Sequence, residues 1–318
     1  MKKIWPIIRI LIALLIIYLL LRKINLKSAL ILLLRVDPLW LSLAFLAFFL
    51  FVFISVIRWK ILLDAKELFF SNRYLLKVYF ISLFFNNLLP TAIGGDVMRV
   101  AYTNKKKEGG ISQALAVTFF DRVIGFVGLF AFALITTFLF FLFRNPGGGE
   151  YLTLNLFGFL LLFALTALLI SDQAYRLFRR VWLKLKFWRL GEKIDSFAAK
   201  LKDFAKNLSA LFSSFLLSLL VQLFLSLVWY FSGLAIGKPI SPLYYFLYIP
   251  LINVITMVPI TFGGLGIREG SFVYLFQRVG LTKEEAMGVS LLFLFANYLH
   301  SLIGGLIFIT MKRGGEDA

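Results

Sequence analysis

Apolar runs of about twenty residues, the length a helix needs to cross about 30 Å of hydrocarbon, recur in this chain from one end to the other. Inside a bilayer no water satisfies exposed backbone amides and carbonyls, so such runs must close their hydrogen bonds internally, as helices. The stretches 4–21, 39–57, 123–143, 151–170, 211–236 and 288–310 read as six full spans. With 61% hydrophobic and only 16% charged residues among 318, no segment of useful size is left for a soluble domain. The expected fold is an all-α polytopic integral membrane protein, with residues 1–318 forming a single transmembrane domain.

Two further apolar stretches, about 74–98 and 243–272, are interrupted by helix breakers and share one pattern. Pro90-x-x-x-Gly94-Gly95 leads to Arg99, and Pro259-x-x-x-Gly263-Gly264 leads to Arg268, each arginine nine positions after its proline. Asparagines precede both breaks, Asn86 and Asn87 in the first and Asn253 in the second. Each stretch reads as a re-entrant hairpin or a broken span, and backbone that leaves the helix at membrane depth must be buried in protein or line a wet cavity. Paired broken segments in two halves of a membrane protein point to a transporter-type site. Three full spans separate them, so the halves, about 1–146 and 147–318, read as an inverted repeat.

The net charge of +18 lies in short loops beside the apolar runs. There the positive-inside rule and anionic lipid surfaces account for it, and nucleic acid is not an expected partner. The loop 171–208 carries ten Lys and Arg among Arg176 to Lys206, so it is placed in the cytoplasm, together with Lys105 to Lys107, Lys312-Arg313 and both termini. The turn from Arg144 to Gly149 then lies outside. Met1-Lys2-Lys3 opens an uncleaved first helix, and the basic segment from Arg22 to Arg35 is assigned to a short interfacial helix. The expected location is the cell membrane, with multiple passes.

Cysteine is absent, and no Walker A, HExxH or GxSxG pattern occurs, so neither a cofactor nor a metal site is expected. The residues that could carry chemistry are few. The free amides of the helix opened by Gly94 and Gly95, together with Arg99, suit a phosphate. Asp96 and Arg99 stand three apart and would share a helix face, where they could equally neutralise each other. Asp121-Arg122 interrupts the apolar stretch from Ile111 to Phe143 and needs a partner, a wet cavity or the interface. Arg268 sits beside Glu269 after Gly263, Gly264 and Gly266. His300, the one histidine, lies in the last span, where it serves either a proton relay or a structural hydrogen bond.

Three stretches carry a resemblance. They are Asn87-Leu88-Leu89-Pro90 through Gly94-Gly95-Asp96-Val97-Met98-Arg99, then Asp121-Arg122-Val123-Ile124-Gly125, then Gly263-Gly264-Leu265-Gly266-Ile267-Arg268-Glu269-Gly270. In this order, with membrane segments between them, they resemble the lysylphosphatidylglycerol synthase transmembrane region family, also called flippase-like. The likeness implies a lipid-handling domain that, in the best-understood members, moves aminoacylated phosphatidylglycerol between leaflets. Other stand-alone relatives are linked to polyprenyl-phosphate lipids. A soluble aminoacyl-transferase domain follows the membrane part in those best-understood members; this chain stops at Ala318, so lysyl-lipid synthesis is not expected. The last span departs from the family by carrying Asn297-Tyr298-Leu299-His300 where an arginine is expected.

The sequence therefore points to a lipid translocase. Asn87, Gly94, Gly95, Asp96, Arg99, Asp121, Arg122, Gly263, Gly264, Arg268 and Glu269 would meet an anionic, aminoacylated or polyprenyl-phosphate headgroup. The alternative is a membrane subunit that presents such a lipid to a separate lipid-modifying enzyme.

Overall fold

A computed structural model of the chain describes residues 35–88, 94–104, 110–143, 202–257, 261 and 264–311, with isolated positions between 156 and 199. The expected span 4–21, the interfacial segment up to residue 34, Lys105 to Lys107, the Arg144 to Gly149 turn and Lys312-Arg313 lie outside the described residues. So do Pro90, Pro259 and Gly263, most of the span 151–170 and most of the loop 171–208.

Among the described residues every regular element is helical. Eight α-helices follow one another: α1 Pro38–Asp64, α2 Asn72–Leu88, α3 Gly94–Thr103, α4 Gly110–Phe143, α5 Leu208–Ala235, α6 Pro242–Met257, α7 Ile267–Gln277 and α8 Lys283–Thr310. Four of them, α1, α4, α5 and α8, are long and apolar enough to cross a membrane. They correspond to the expected spans 39–57, 123–143, 211–236 and 288–310. The helix α4 starts well before residue 123, so Asp121-Arg122 falls inside it rather than at its edge.

Local chemistry sets where these helices begin. Pro38 opens α1, where its missing amide costs nothing, and the Asp37 carboxylate accepts from Leu39 N at 2.8 Å. Ser71 and Asn207 accept from Tyr74 N and Ala210 N in the same way before α2 and α5. Thr282 and Glu285 form a reciprocal capping box at the start of α8, with bonds of 3.2 and 2.8 Å. Both broken stretches are interrupted as their prolines and glycines predict. The helix α2 ends at Leu88 and α3 opens at Gly94; α6 ends at Met257 and α7 opens at Ile267.

The chain forms two compact units that interleave along the sequence. One comprises 1–52, 79–95 and 222–311, and the other 53–78, 96–221 and 312–318. Each collects segments from both sides of residue 146.

The first unit is aromatic at its centre. Trp229 stacks between Phe272 at 4.6 Å and Phe293 at 4.1 Å, and Tyr245 and Phe276 continue the cluster at 4.6 Å. There α8 crosses α2 where no side chain intervenes. A Cβ placed on Gly304 would strike the Phe80 carbonyl oxygen and lie 3.1 Å from Ile81 N, while one on Gly305 would meet only the Phe84 ring, at 3.0–3.4 Å. Small residues let membrane helices approach this closely. In the second unit, α4 and α5 meet through Gly128, whose Cβ would strike Ser218.

Gly304→Val should therefore destabilise the protein by about 1–3 kcal/mol, the usual cost of overpacking a tight core. Gly305→Ala, facing a ring that can tilt, should cost clearly less. Thermal unfolding in detergent compares the two, and equal midpoints would contradict the backbone contact.

Candidate functional site

The second unit holds a network of five charged side chains. Asp121, on α4, is 1% exposed, and each of its oxygens accepts from a different arginine. Arg58 Nε reaches Oδ1 at 2.8 Å and Arg99 Nη2 reaches Oδ2 at 2.8 Å. Arg58 and Arg99 are themselves 7% and 4% exposed. Arg58 Nη1 also donates to Ser218 Oγ at 3.0 Å, and that hydroxyl donates to Ser214 O at 2.8 Å. The Arg99 guanidinium lies over the Trp59 ring, 4.3 Å from its centroid. Asp96 stands 3.8 Å from Arg99 Nη1 and pairs with Arg122 Nε.

Helix geometry explains the spacing of these residues. Asp121, Gly125 and Gly128 lie at i, i+4 and i+7, one face of α4. A Cβ on Gly125 would come 3.3 Å from Arg58 Nη1, so the glycine leaves room for the guanidinium beside the aspartate that binds it. On α3, Asp96 and Arg99 share a face, as expected. The partner that engages Arg99 most closely is nevertheless Asp121, and Asp96 turns mainly to Arg122. Three guanidinium groups thus share two carboxylates. The Arg122 side chain is 34% exposed, so this corner of the network is its accessible edge.

The first unit holds the second motif and the ends of the first. Arg268 Nη2 and Nε donate to Glu269 Oε1 at 3.0 and 3.1 Å, and Gly266 N donates to Oε2 at 2.5 Å. Gly264 and Gly266 have φ of +74° and +83°, a region that residues with a Cβ rarely adopt. The turn that brings Glu269 back onto the start of α7 therefore depends on glycine. Arg268 lies 5.2 Å from the Phe293 ring centroid. At the first break, Gly95 N donates to Asn86 Oδ1 at 2.8 Å, which ties the start of α3 to the last turns of α2. Gly94 is buried at the same helix start.

Asn87, eleven residues from Met98 in sequence but far from the last span, accepts from Asn297 Nδ2 at 3.3 Å. The departure from the family pattern in α8 therefore places an amide pair within this unit. His300 Nδ1 donates to Ala296 O at 2.8 Å, and its ring stacks on Phe48 at 4.5 Å with Phe45 and Phe80 nearby. This bond closes on His300's own helix, four residues back, and the neighbouring helices α1 and α2 meet the ring through aromatic stacking.

The sequence reading missed Arg58, Trp59 and Ser218. The expected span stops at residue 57, one short of Arg58; α1 continues to Asp64, and Arg58 is buried. The usable signal was the second aspartate oxygen, since Asp121 at membrane depth needs more than one cation or donor. Among the described residues no group of three or more acidic or histidine side chains could hold a metal.

The chain is similar to known proteins along most of its length. The family described as "Lysylphosphatidylglycerol synthase TM region" matches residues 7–305. A UPF0104 membrane protein of Pyrococcus horikoshii is 26% identical over 313 residues, covering 89% of this chain and 90% of its own. One from Methanothermobacter thermautotrophicus is 26% identical over 295 residues, with 85% and 83% covered. One from Methanocaldococcus jannaschii is 24% identical over 247 residues, with 73% and 95% covered. The long apolar helices and these matches together make the chain a membrane protein.

Asp121→Asn removes the charge that two buried arginines share, and should cost about 3–5 kcal/mol, as breaking a buried pair does. Arg122→Gln, at the exposed edge, should cost about 1 kcal/mol or less. Thermal stability of the two variants in detergent checks this, and equal losses would refute the shared-carboxylate arrangement.

Proposed function

Because the chain belongs to the lysylphosphatidylglycerol synthase TM region family, we propose that it moves an anionic phospholipid, or a polyprenyl-phosphate lipid, between leaflets of the membrane. The observation that carries this reading is the network around Asp121, five charged groups held by apolar helices. Ionised side chains among membrane helices are expensive, and where they persist they line a substrate path. Here arginine outnumbers aspartate, and the accessible edge is Arg122, so the network attracts a phosphate and repels a cation. Arg268 supplies a second guanidinium in the other unit. Acyl tails need no polar path, since they stay in hydrocarbon throughout.

The rival reading, a subunit that presents the lipid to a lipid-modifying transferase, needs a base. Asp96, Asp121 and Glu269 each already accept from arginine, so their oxygens are engaged by neighbouring side chains rather than turned to a substrate. The translocase reading asks nothing of them beyond holding the arginines in place.

Purified protein in liposomes carrying fluorescent phosphatidylglycerol, aminoacyl-phosphatidylglycerol or a short polyprenyl phosphate, with chemical quenching of the outer leaflet, tests the proposal. At least one lipid should lose its protected fraction in a protein-dependent way. Arg99→Gln and Arg268→Gln should each slow that loss by about tenfold or more, in line with charge-assisted bonds of about 1.5–3 kcal/mol. Absence of protein-dependent movement for every lipid would sink the reading.

A further inference from the structure

The C-terminal half of α5 and the helix α8 meet along a seam in the first unit. Lys238 Nζ, just past α5, pairs with Glu285 Oε1 at 2.7 Å, a Cβ on Gly288 would lie 3.9 Å from Ile236, and Trp229 stacks on Phe293 at 4.1 Å. Residue numbers fall on one side as they rise on the other, so the two helices run antiparallel. Seven residues make nearly two turns, return to nearly the same face and advance about 10 Å. Gln222 therefore comes level with His300, one layer beyond the Trp229–Phe293 stack, and Ser226 comes level with Ala296.

Four buried polar atoms on α5 and α8, of which Trp229 Nε1 lies on this seam, have no hydrogen-bond partner among the described residues: Gln222 Oε1, Ser226 Oγ, Trp229 Nε1 and Ser290 Oγ. The residues are 7%, 0%, 1% and 0% exposed. A buried helical serine ordinarily satisfies itself on the carbonyl four residues back, as Ser232 does on Val228 O at 2.7 Å. Ser226 and Ser290 do not. Leaving one buried polar group unmade is costly, so groups other than the described side chains must meet these four. An apolar seam would hold the same helices together more firmly, so these side chains serve a state in which they are met.

We propose that the α5–α8 seam opens during transport and receives the hydroxyl-bearing part of the lipid headgroup, an inference that rests on the translocase reading. The chemistry of the four atoms selects this ligand. Trp229 Nε1 only donates, Gln222 Oε1 only accepts, and the two serines do both. A hydroxyl, itself donor and acceptor, satisfies every one of them. An ammonium is refused by the indole and calls for a carboxylate, and Glu269 already accepts from Arg268 and from Gly266 N. The position also fits a headgroup. Phe293 carries Trp229 against its ring at 4.1 Å and Arg268 at 5.2 Å, so the guanidinium for the phosphate and the hydroxyl-reading seam share one side chain.

The chain has no cysteine, so single thiols can be placed without background. Ser226→Cys and Ser290→Cys are near-isosteric, and Thr137→Cys, 0% exposed in the other unit, reports global loosening. Each variant is reconstituted in vesicles of phosphatidylglycerol or of phosphatidylmethanol, which has the same phosphodiester charge and no hydroxyl, and treated with N-ethylmaleimide. Modification at 226 and 290 should be about tenfold faster in phosphatidylglycerol, because a site built to bond a hydroxyl rejects an analogue lacking it, while position 137 stays unmodified in both. In the same vesicles, the variant Gln222→Leu/Ser226→Ala/Ser290→Ala should translocate phosphatidylglycerol about tenfold more slowly, with a thermal midpoint no lower than that of the unaltered protein. Equal labelling in the two lipids, or no labelling at 226 and 290 while phosphatidylglycerol is still translocated, overturns the seam and leaves the translocase intact. Translocation of neither lipid by the unaltered protein overturns the seam, and the translocase reading falls with it only if aminoacyl-phosphatidylglycerol and the polyprenyl phosphate are not moved either.

Discussion

The Asp121 carboxylate is the point on which the charged network depends. One buried anion accepts from two arginines, at 2.8 Å on each oxygen, and those arginines are brought in by different helices, α1 and α3. Without it, two guanidinium groups would face each other across an apolar interior, and the desolvation penalty would have nothing to offset it. The surrounding choices follow from that constraint. Gly125 makes room for Arg58, Ser218 accepts from its Nη1, and Trp59 offers Arg99 a ring face. Asp96, left with the weaker contact to Arg99, is available to hold Arg122 where the network opens.

The two units differ in their charged groups. In the second, five charged side chains form one network around Asp121. In the first, Lys238 pairs with Glu285, and Arg268 with Glu269 is closed on itself by the turn at Gly266.

Much of this was legible from residue order. The apolar runs gave the long helices because a bilayer leaves the backbone no alternative, and prolines and glycines marked both interruptions to within a few residues. The family motifs located Asp96, Arg99, Asp121, Arg268 and Glu269. Pairing was not legible. Asp96 and Arg99 looked like partners because they share a helix face, but a carboxylate 22 positions away sits closer to the guanidinium. Arg58 escaped notice because a basic residue at the end of an apolar run usually marks the membrane surface, and only the structure shows that α1 runs on to Asp64 and that Arg58 is buried against Asp121. The unpaired atoms of α5 and α8 were likewise invisible, since a serine in a helix reads the same whether or not its hydroxyl is satisfied.

The network also has a history within each molecule. Arg58 and Asp121 are 63 residues apart, and Ser218 lies 160 beyond Arg58. At about 5–20 residues per second, α1 leaves the ribosome roughly 3–13 s before its counter-ion has been made. During that interval Arg58 has no Asp121 to meet, so α1 is made well before the residue that neutralises its arginine.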